Sequence, residues 1–126
     1  MSTPAPAASC PAVSVVVPTL NEADNMDALF GAIRGALDGR LAYEVIVVDD
    51  ASADGTPARA RAWADRVPVT VIERTGRPDL AQAVREGARA ARAGVVVVMD
   101  ADGSHPADAL PALAAPLLAG THDVMI

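Results

Sequence analysis

The chain has 126 residues, 52% of them hydrophobic, and a net charge of −6. That length bounds it to one domain, whose core must be built from small side chains because Phe, Tyr and Trp occur once each. The ten basic residues are all arginine and form no basic run, which argues against a nucleic-acid backbone as partner and leaves no lysine for chemistry.

Residues 1–11 are rich in Ala, Pro and Ser and read as a disordered leader, with residues 12–126 as the folded domain. The leader has neither the basic start nor the apolar run of a secretory signal, so the expected location is cytoplasmic. Cys10 is the sole cysteine and has no internal disulfide partner. No apolar stretch approaches the roughly 20 residues that span a bilayer.

Val13 to Val17 is a β-branched run stopped by Pro18, a strand. Met26, Leu29, Phe30, Ile33 and Leu37 then recur at helical spacing, with Asn21 or Asp24 as the cap and Gly39 as the stop. A second strand, Glu44 to Val48, stops at Asp49-Asp50. Thr56-Pro57 supplies a cap followed by a first-turn proline, opening a helix through Trp63. The third strand is Val69 to Ile72. A further helical face consists of Leu80, Ala83, Val84, Gly87, Ala88 and Ala91, closed by Gly94. Val95 to Met99 is the fourth strand, stopped by Asp100. Beyond it Pro106, Pro111 and Pro116 punctuate a segment with a short helix from Pro111, and Asp123 to Ile126 reads as a last strand.

Near-continuous Val/Ile runs indicate strands buried on both faces, as in a parallel sheet. Strands alternating with helices predict right-handed crossovers and an open, doubly wound α/β fold. In such a sheet, ligands bind beyond the C-terminal ends of the strands. Three of the four runs end there with polar residues: Thr19-Leu20-Asn21-Glu22, Asp49-Asp50-Ala51-Ser52 and Asp100-Ala101-Asp102.

Carboxylates crowded along one edge repel one another and call for a cation or a donor-bearing ligand. Asp100 and Asp102 are the sharpest case. In an extended segment they would point the same way and face one hard divalent ion, Mg2+ or Mn2+, which also takes a substrate phosphate. Asp49-Asp50 supports two readings. Asp49, Asp54 and Thr56 fit turn chemistry before a helix, and Asp50 fits a ligand contact. Asn21 and Glu22 suit a helix N-terminus, His105 before Pro106 suits a turn, and Trp63 suits packing.

The absent lysine removes a phospho-receiver domain, a Walker-type phosphate loop and a Schiff-base enzyme. Pro18 to Glu22 stands where a Rossmann dehydrogenase carries its glycine fingerprint, so that class fails too.

Val13 to Glu22 (VSVVVPTLNE), Glu44 to Thr56 (EVIVVDDASADGT) and Val97 to Pro106 (VVMDADGSHP) resemble, in order and spacing, the three signatures of family 2 GT-A glycosyltransferases. With Arg74-Thr75-Gly76 and Ala83 to Gly94, the chain looks most like the polyprenyl-phosphate (dolichol-phosphate) mannosyl- and glucosyltransferase branch. The resemblance implies a GT-A fold and transfer of a hexose, with inversion, from a GDP- or UDP-sugar to a polyprenyl phosphate. It also assigns roles. Pro18, Leu20 and Glu22 would line the nucleobase and ribose pocket, with Val48 and Asp50 completing it. Met99, Asp100 and Ala101 would follow the ribose and diphosphate. Asp102 and Asp100, with Ser104, would hold Mg2+ or Mn2+ on the diphosphate.

The chain departs from its relatives in two places. Leu20 stands where they carry an aromatic residue, and Pro78-Asp79 stands in a loop they build from small residues. Relatives also continue into acceptor-binding arginines and membrane-facing segments. The expectation is therefore a donor-binding portion, inactive alone, of a protein peripheral to the inner face of the membrane. The alternative is a GT-A module that binds nucleotide-sugar or acts as a scaffold without turnover.

Overall fold

The structure, a computed structural model, describes residues 11–102 and 124–125. Cys10, Ser104, His105, the proline-punctuated segment and all of the expected leader except Pro11 lie outside those residues. Among the described residues the elements are β1 (Val13–Thr19), α1 (Ala23–Leu37), β2 (Tyr43–Asp50), α2 (Thr56–Arg61), β3 (Val69–Arg74), α3 (Leu80–Ala90), β4 (Val95–Val98) and β5 (Val124–Met125). The strands form one sheet in the order β3-β2-β1-β4-β5, and every pairing is parallel. This is the expected open α/β sheet.

Strand alternation divides the valines between two cores. Val13, Val15, Val17, Val45, Val47, Val95 and Val97 pack with Met26, Phe30, Ile33 and Leu37 of α1 and with Trp63 just after α2. Val16, Ile46, Val48, Val96 and Val98 face the other way, onto Ala83 of α3. Each such side chain, taken wholly out of water, contributes roughly 1.5–3 kcal/mol. Trp63 packs as expected. It stacks on Phe30 with ring centroids 5.6 Å apart, and its Nε1 donates to Asp27 Oδ1 at 2.9 Å.

The second core is thin, and α3 comes close to the sheet through a glycine. A Cβ on Gly87 would lie 2.4 Å from Val16 Cγ1 and 3.0 Å from Val48 Cγ2. Only a hydrogen fits there.

Several expectations shift in detail. β3 is half-exposed rather than buried on both faces, because among the described residues it is the edge strand, paired on one side only. Pro18 does not stop β1; it continues the strand opposite Val48. Val16 accepts a hydrogen bond from the Met99 N–H, so Val16 and, two residues on, Pro18 turn their backbone toward β4. The β4 pairing ends at Val16↔Val98, so the missing N–H of Pro18 costs no ladder bond. The α1 N-cap is Glu22, not Asn21 or Asp24, and the α2 N-cap is Gly55 at φ 87°, one residue before the expected Thr56. Leu80 belongs to α3 but is 65% exposed, off its core face.

At the N-terminal ends of the strands lies a buried polar knot. Ser14 Oγ donates to Glu44 Oε2 at 2.5 Å, and the Arg92 N–H donates to the same oxygen at 2.7 Å. Arg92 Nε donates to Glu44 Oε1 at 3.3 Å, tying the α3–β4 turn to the sheet. No helix among the described residues is long and apolar enough to cross a membrane.

Candidate functional site

The opposite end of the sheet is built differently. There the end of β1 and the loop after it, the last residue of β2, the loop between β3 and α3, the start of α3 and the segment after β4 line a cavity of about 350 Å³.

Its frame is the β2–α2 loop, clamped onto the β1–α1 loop. Asp49 is buried and faces Thr19 across the β1–β2 register. Its Oδ1 accepts from Thr19 Oγ1 at 2.7 Å and Ser52 Oγ at 2.6 Å, and its Oδ2 accepts from the Ser52 N–H at 2.8 Å. Asn21 and Ala51 stand at φ 56° and 59°. A left-handed backbone costs roughly 1–2 kcal/mol at such residues and persists only when its surroundings fix it. Here they do: the Asn21 N–H donates to Ser52 Oγ at 2.7 Å, and the Ala53 N–H donates to Asn21 Oδ1 at 2.9 Å.

The first turn of α1 takes its acceptors from the same loop. The Glu22 N–H donates to Thr56 Oγ1 at 2.9 Å, and the Ala23 N–H donates to Asp54 Oδ2 at 3.1 Å. The hydroxyl of Thr56 chiefly, helped by the backbone N–H groups of Ala23 and Thr56, lowers the pKa of the Asp54 carboxyl against the opposing effect of burial. Asp49, Asp54 and Thr56 are thus structural, as their turn chemistry suggested.

Asp50 is the site's buried acid, 7% exposed. Arg74, its partner across the β2–β3 register, donates from Nε to Oδ1, and the Asp79 N–H donates to Oδ2 at 3.0 Å. Arg74 also donates from Nη1 to Glu86 on α3. The Asp50 contact chiefly raises the pKa of Arg74 further, so the guanidinium stays charged. Asp79 in turn caps α3, its Oδ1 accepting from the Gln82 N–H at 3.1 Å.

The cavity gathers most of the residues singled out from the sequence: Pro18, Leu20, Glu22, Asp50, Asp100, Ala101 and Asp102. Val48 and Met99 do not line it. Their side chains pack in the two cores. Sequence reasoning passed over Thr19 as a lining residue, and Arg74 and Glu86 behind Asp50; Pro78, Asp79 and Leu80, from the loop that departs from the relatives, line the cavity as well. The Asp79-x-x-Gln82 capping spacing was the signal that could have placed Asp79 at the helix entrance.

Asp100 and Asp102 do not share the extended segment expected for them. β4 ends at Val98 once its pairing with β1 runs out, and Ala101-Asp102 form a turn rather than an extended segment. Both carboxylates nonetheless border the cavity. They offer hard oxygen donors. Among the described residues no group of three or more His, Cys, Asp or Glu could hold a metal by itself. That donor set fits Mg2+ or Mn2+, which are commonly held by one or two carboxylates together with substrate phosphate and water. Leu20, 44% exposed, and the more exposed Leu80 add apolar surface to an otherwise acidic cleft.

Comparison with known proteins agrees with this geometry. The pattern of Glycosyl transferase family 2 matches residues 14–126. A dolichol-phosphate mannosyltransferase of Pyrococcus furiosus is 46% identical over 101 residues, covering 80% of this chain and 28% of that protein. A mannosyltransferase of Pyrobaculum calidifontis, solved in complex with GDP-Man and Mn2+, superposes with TM-score 0.71 at 37% identity, over 87% of this chain and 32% of that one. The glucosyl-3-phosphoglycerate synthase of Mycobacterium tuberculosis, solved with Mn2+, UDP and glucosyl-3-phosphoglycerate, gives 0.68 at 31% identity, over 88% of this chain and 41% of that one. The chain therefore spans between 28% and 41% of the length of these relatives. With the parallel sheet and the acidic strand-end cavity, these matches identify the chain as a member of glycosyl transferase family 2 with a GT-A fold.

Proposed function

We propose that this chain is the donor-binding part of a glycosyltransferase that moves a hexose, mannose or glucose, from a GDP- or UDP-sugar to a polyprenyl phosphate with inversion. The observation that carries this reading is the single cavity bringing together Glu22, Asp50, Asp100 and Asp102 from three strand ends beside exposed Leu20. An acidic cleft with an apolar lip suits a nucleoside diphosphate only if a cation accompanies the phosphates. The relatives solved with GDP-Man or UDP, each with Mn2+, support that pairing.

In this reading Asp50 accepts hydrogen bonds from donors on the base, while Pro18, Leu20 and Glu22 border base and ribose. Asp100 and Asp102, with Ser104 after them, hold Mg2+ or Mn2+ against the diphosphate. When bound, that ion supplies Lewis-acid neutralisation of the charge growing on the leaving group. The acceptor phosphate oxygen forms its bond to the anomeric carbon on the face opposite the leaving diphosphate. The carbon–oxygen bond to the diphosphate breaks and its electron pair leaves with the nucleotide, so a single displacement inverts the centre. A phosphate is already ionised at neutral pH. No general base is needed, consistent with a cavity whose titratable side chains, among the described residues, are all carboxylates.

Calorimetric titration with GDP, UDP, GDP-mannose and UDP-glucose, each with and without Mn2+, tests the site, with Asp102→Asn alongside. Mn2+-dependent binding that falls by about tenfold or more in the variant, about 1.4 kcal/mol, is expected. A folded chain that ignores all four ligands would remove the reading.

A further inference from the structure

We infer that Glu86 is a positioning residue of the donor site, holding Arg74 so that Asp50 keeps its orientation toward the nucleobase. The inference rests on the nucleotide reading above and adds to it a residue that does not line the cavity.

Both oxygens of Asp50 are tied to α3, one directly and one through an arginine. Oδ2 receives the Asp79 N–H at the helix start. Oδ1 receives Arg74 Nε, and the same guanidinium reaches Glu86 through Nη1. Asp50 receives Nε, and Glu86 receives Nη1 on the opposite side of the guanidinium. The two carboxylates therefore hold the planar group from both sides, and its side chain is 14% exposed.

Glu86 can do this because its neighbour fixes the distance. Gly87 lets α3 rest directly on Val16 and Val48, so Glu86 is carried to the end of β3 on a helix that cannot ride up. A carboxylate acceptor on the cavity wall suits a base edge that offers a ring N–H. Uracil and guanine have that edge. Adenine and cytosine present a bare ring nitrogen there, which an ionised acid repels. Glu86 thus bears on base preference as well as affinity.

The test is calorimetric titration of the chain with UDP, GDP, ADP and CDP in Mn2+, for the natural sequence, Glu86→Gln and Glu86→Asp. Thermal unfolding of each protein without nucleotide checks that it folds. Glu86→Gln is expected to weaken UDP and GDP by about tenfold and ADP and CDP by much less, narrowing the preference. Glu86→Asp keeps the charge and should recover part of the loss. A residue serving only to hold α3 would lower the unfolding temperature and leave the base ratios unchanged. Unchanged ratios in a folded Glu86→Gln, or in Glu86→Asp if the Gln variant does not fold, overturn the inference. A natural chain that binds no nucleotide overturns the donor reading itself, a result distinct from unchanged ratios.

Discussion

Single side chains at the two ends of the sheet do two kinds of work, and cross-strand register decides which. Thr19 faces Asp49, Asp50 faces Arg74 and Ser14 faces Glu44, and each facing pair is also a hydrogen-bonded pair. The sequence disclosed the acids but not these partners. Register depends on how long each loop is and where each strand stops, and neither Arg74 nor Glu86 carries a local mark of its role. Asp49, Asp54 and Thr56 were readable because turn chemistry is local. Asp54 gives a pH prediction. Its carboxyl is held below the ordinary 3.8, chiefly by the Thr56 hydroxyl, so its contribution is present above the unfolded-state value and is lost as pH falls through the folded one. Urea unfolding should find Asp54→Asn less stable than the natural chain at pH 7, with the difference shrinking as the pH is taken below 3.8. A gap that stays constant through that acid range would mean the charge is not what matters.

The elements were legible in kind and less so in their ends. Each Val/Ile run became a strand and each apolar periodicity a helix, because both patterns arise from which face meets the core. The boundaries moved for tertiary reasons. β1 carries Pro18 past the end of its β4 neighbour, α1 borrows its first-turn acceptors from the next loop, and Leu80 obeys helical spacing but sits beyond the sheet's cover, at the cavity. Glycines separate packing from propensity. Gly31 and Gly35 are exposed on α1, and among the described residues nothing lies within 4 Å of where their Cβ would stand, whereas Gly87 meets two buried valines. Replacing a mid-helix glycine by alanine favours the helix by about 1 kcal/mol. Gly31→Ala should therefore raise the urea midpoint. Gly87→Ala should lower it, with a net loss of roughly 1–3 kcal/mol, because a β-branched valine has no free rotamer to yield. If both substitutions stabilise, α3 does not rest on the sheet as closely as described.

Across the whole molecule, the two ends of the sheet are specialised. The C-terminal ends of the strands carry strain, exposed leucine and carboxylates facing a cavity. The N-terminal ends carry the Ser14–Glu44–Arg92 knot, with no part in that cavity. Removing the Glu44 carboxylate would leave a buried hydroxyl and a backbone N–H without an acceptor. Glu44→Ala should cost about 3 kcal/mol in chemical denaturation. Nucleotide affinity, measured on the fraction that remains folded, should stay within about twofold of the natural chain, less than about 0.5 kcal/mol. A large loss of affinity would mean that the two ends are coupled through the sheet. The doubly wound class was legible in the alternation of strand and helix. The strand order was not, since one Val-rich run pairs as readily as another until the connections choose.

That order has a consequence for how the chain is made. β1 sits in the middle of the sheet, yet Val13 waits for Val95 to pair along one edge, about 80 residues later. At about 5–20 residues per second, the ribosome delivers that partner several seconds after β1 has emerged. Until then a valine-rich strand of the nascent chain offers an open backbone edge to its surroundings, so the interval between translating the first strand and the fourth is when this protein is most exposed to mispairing.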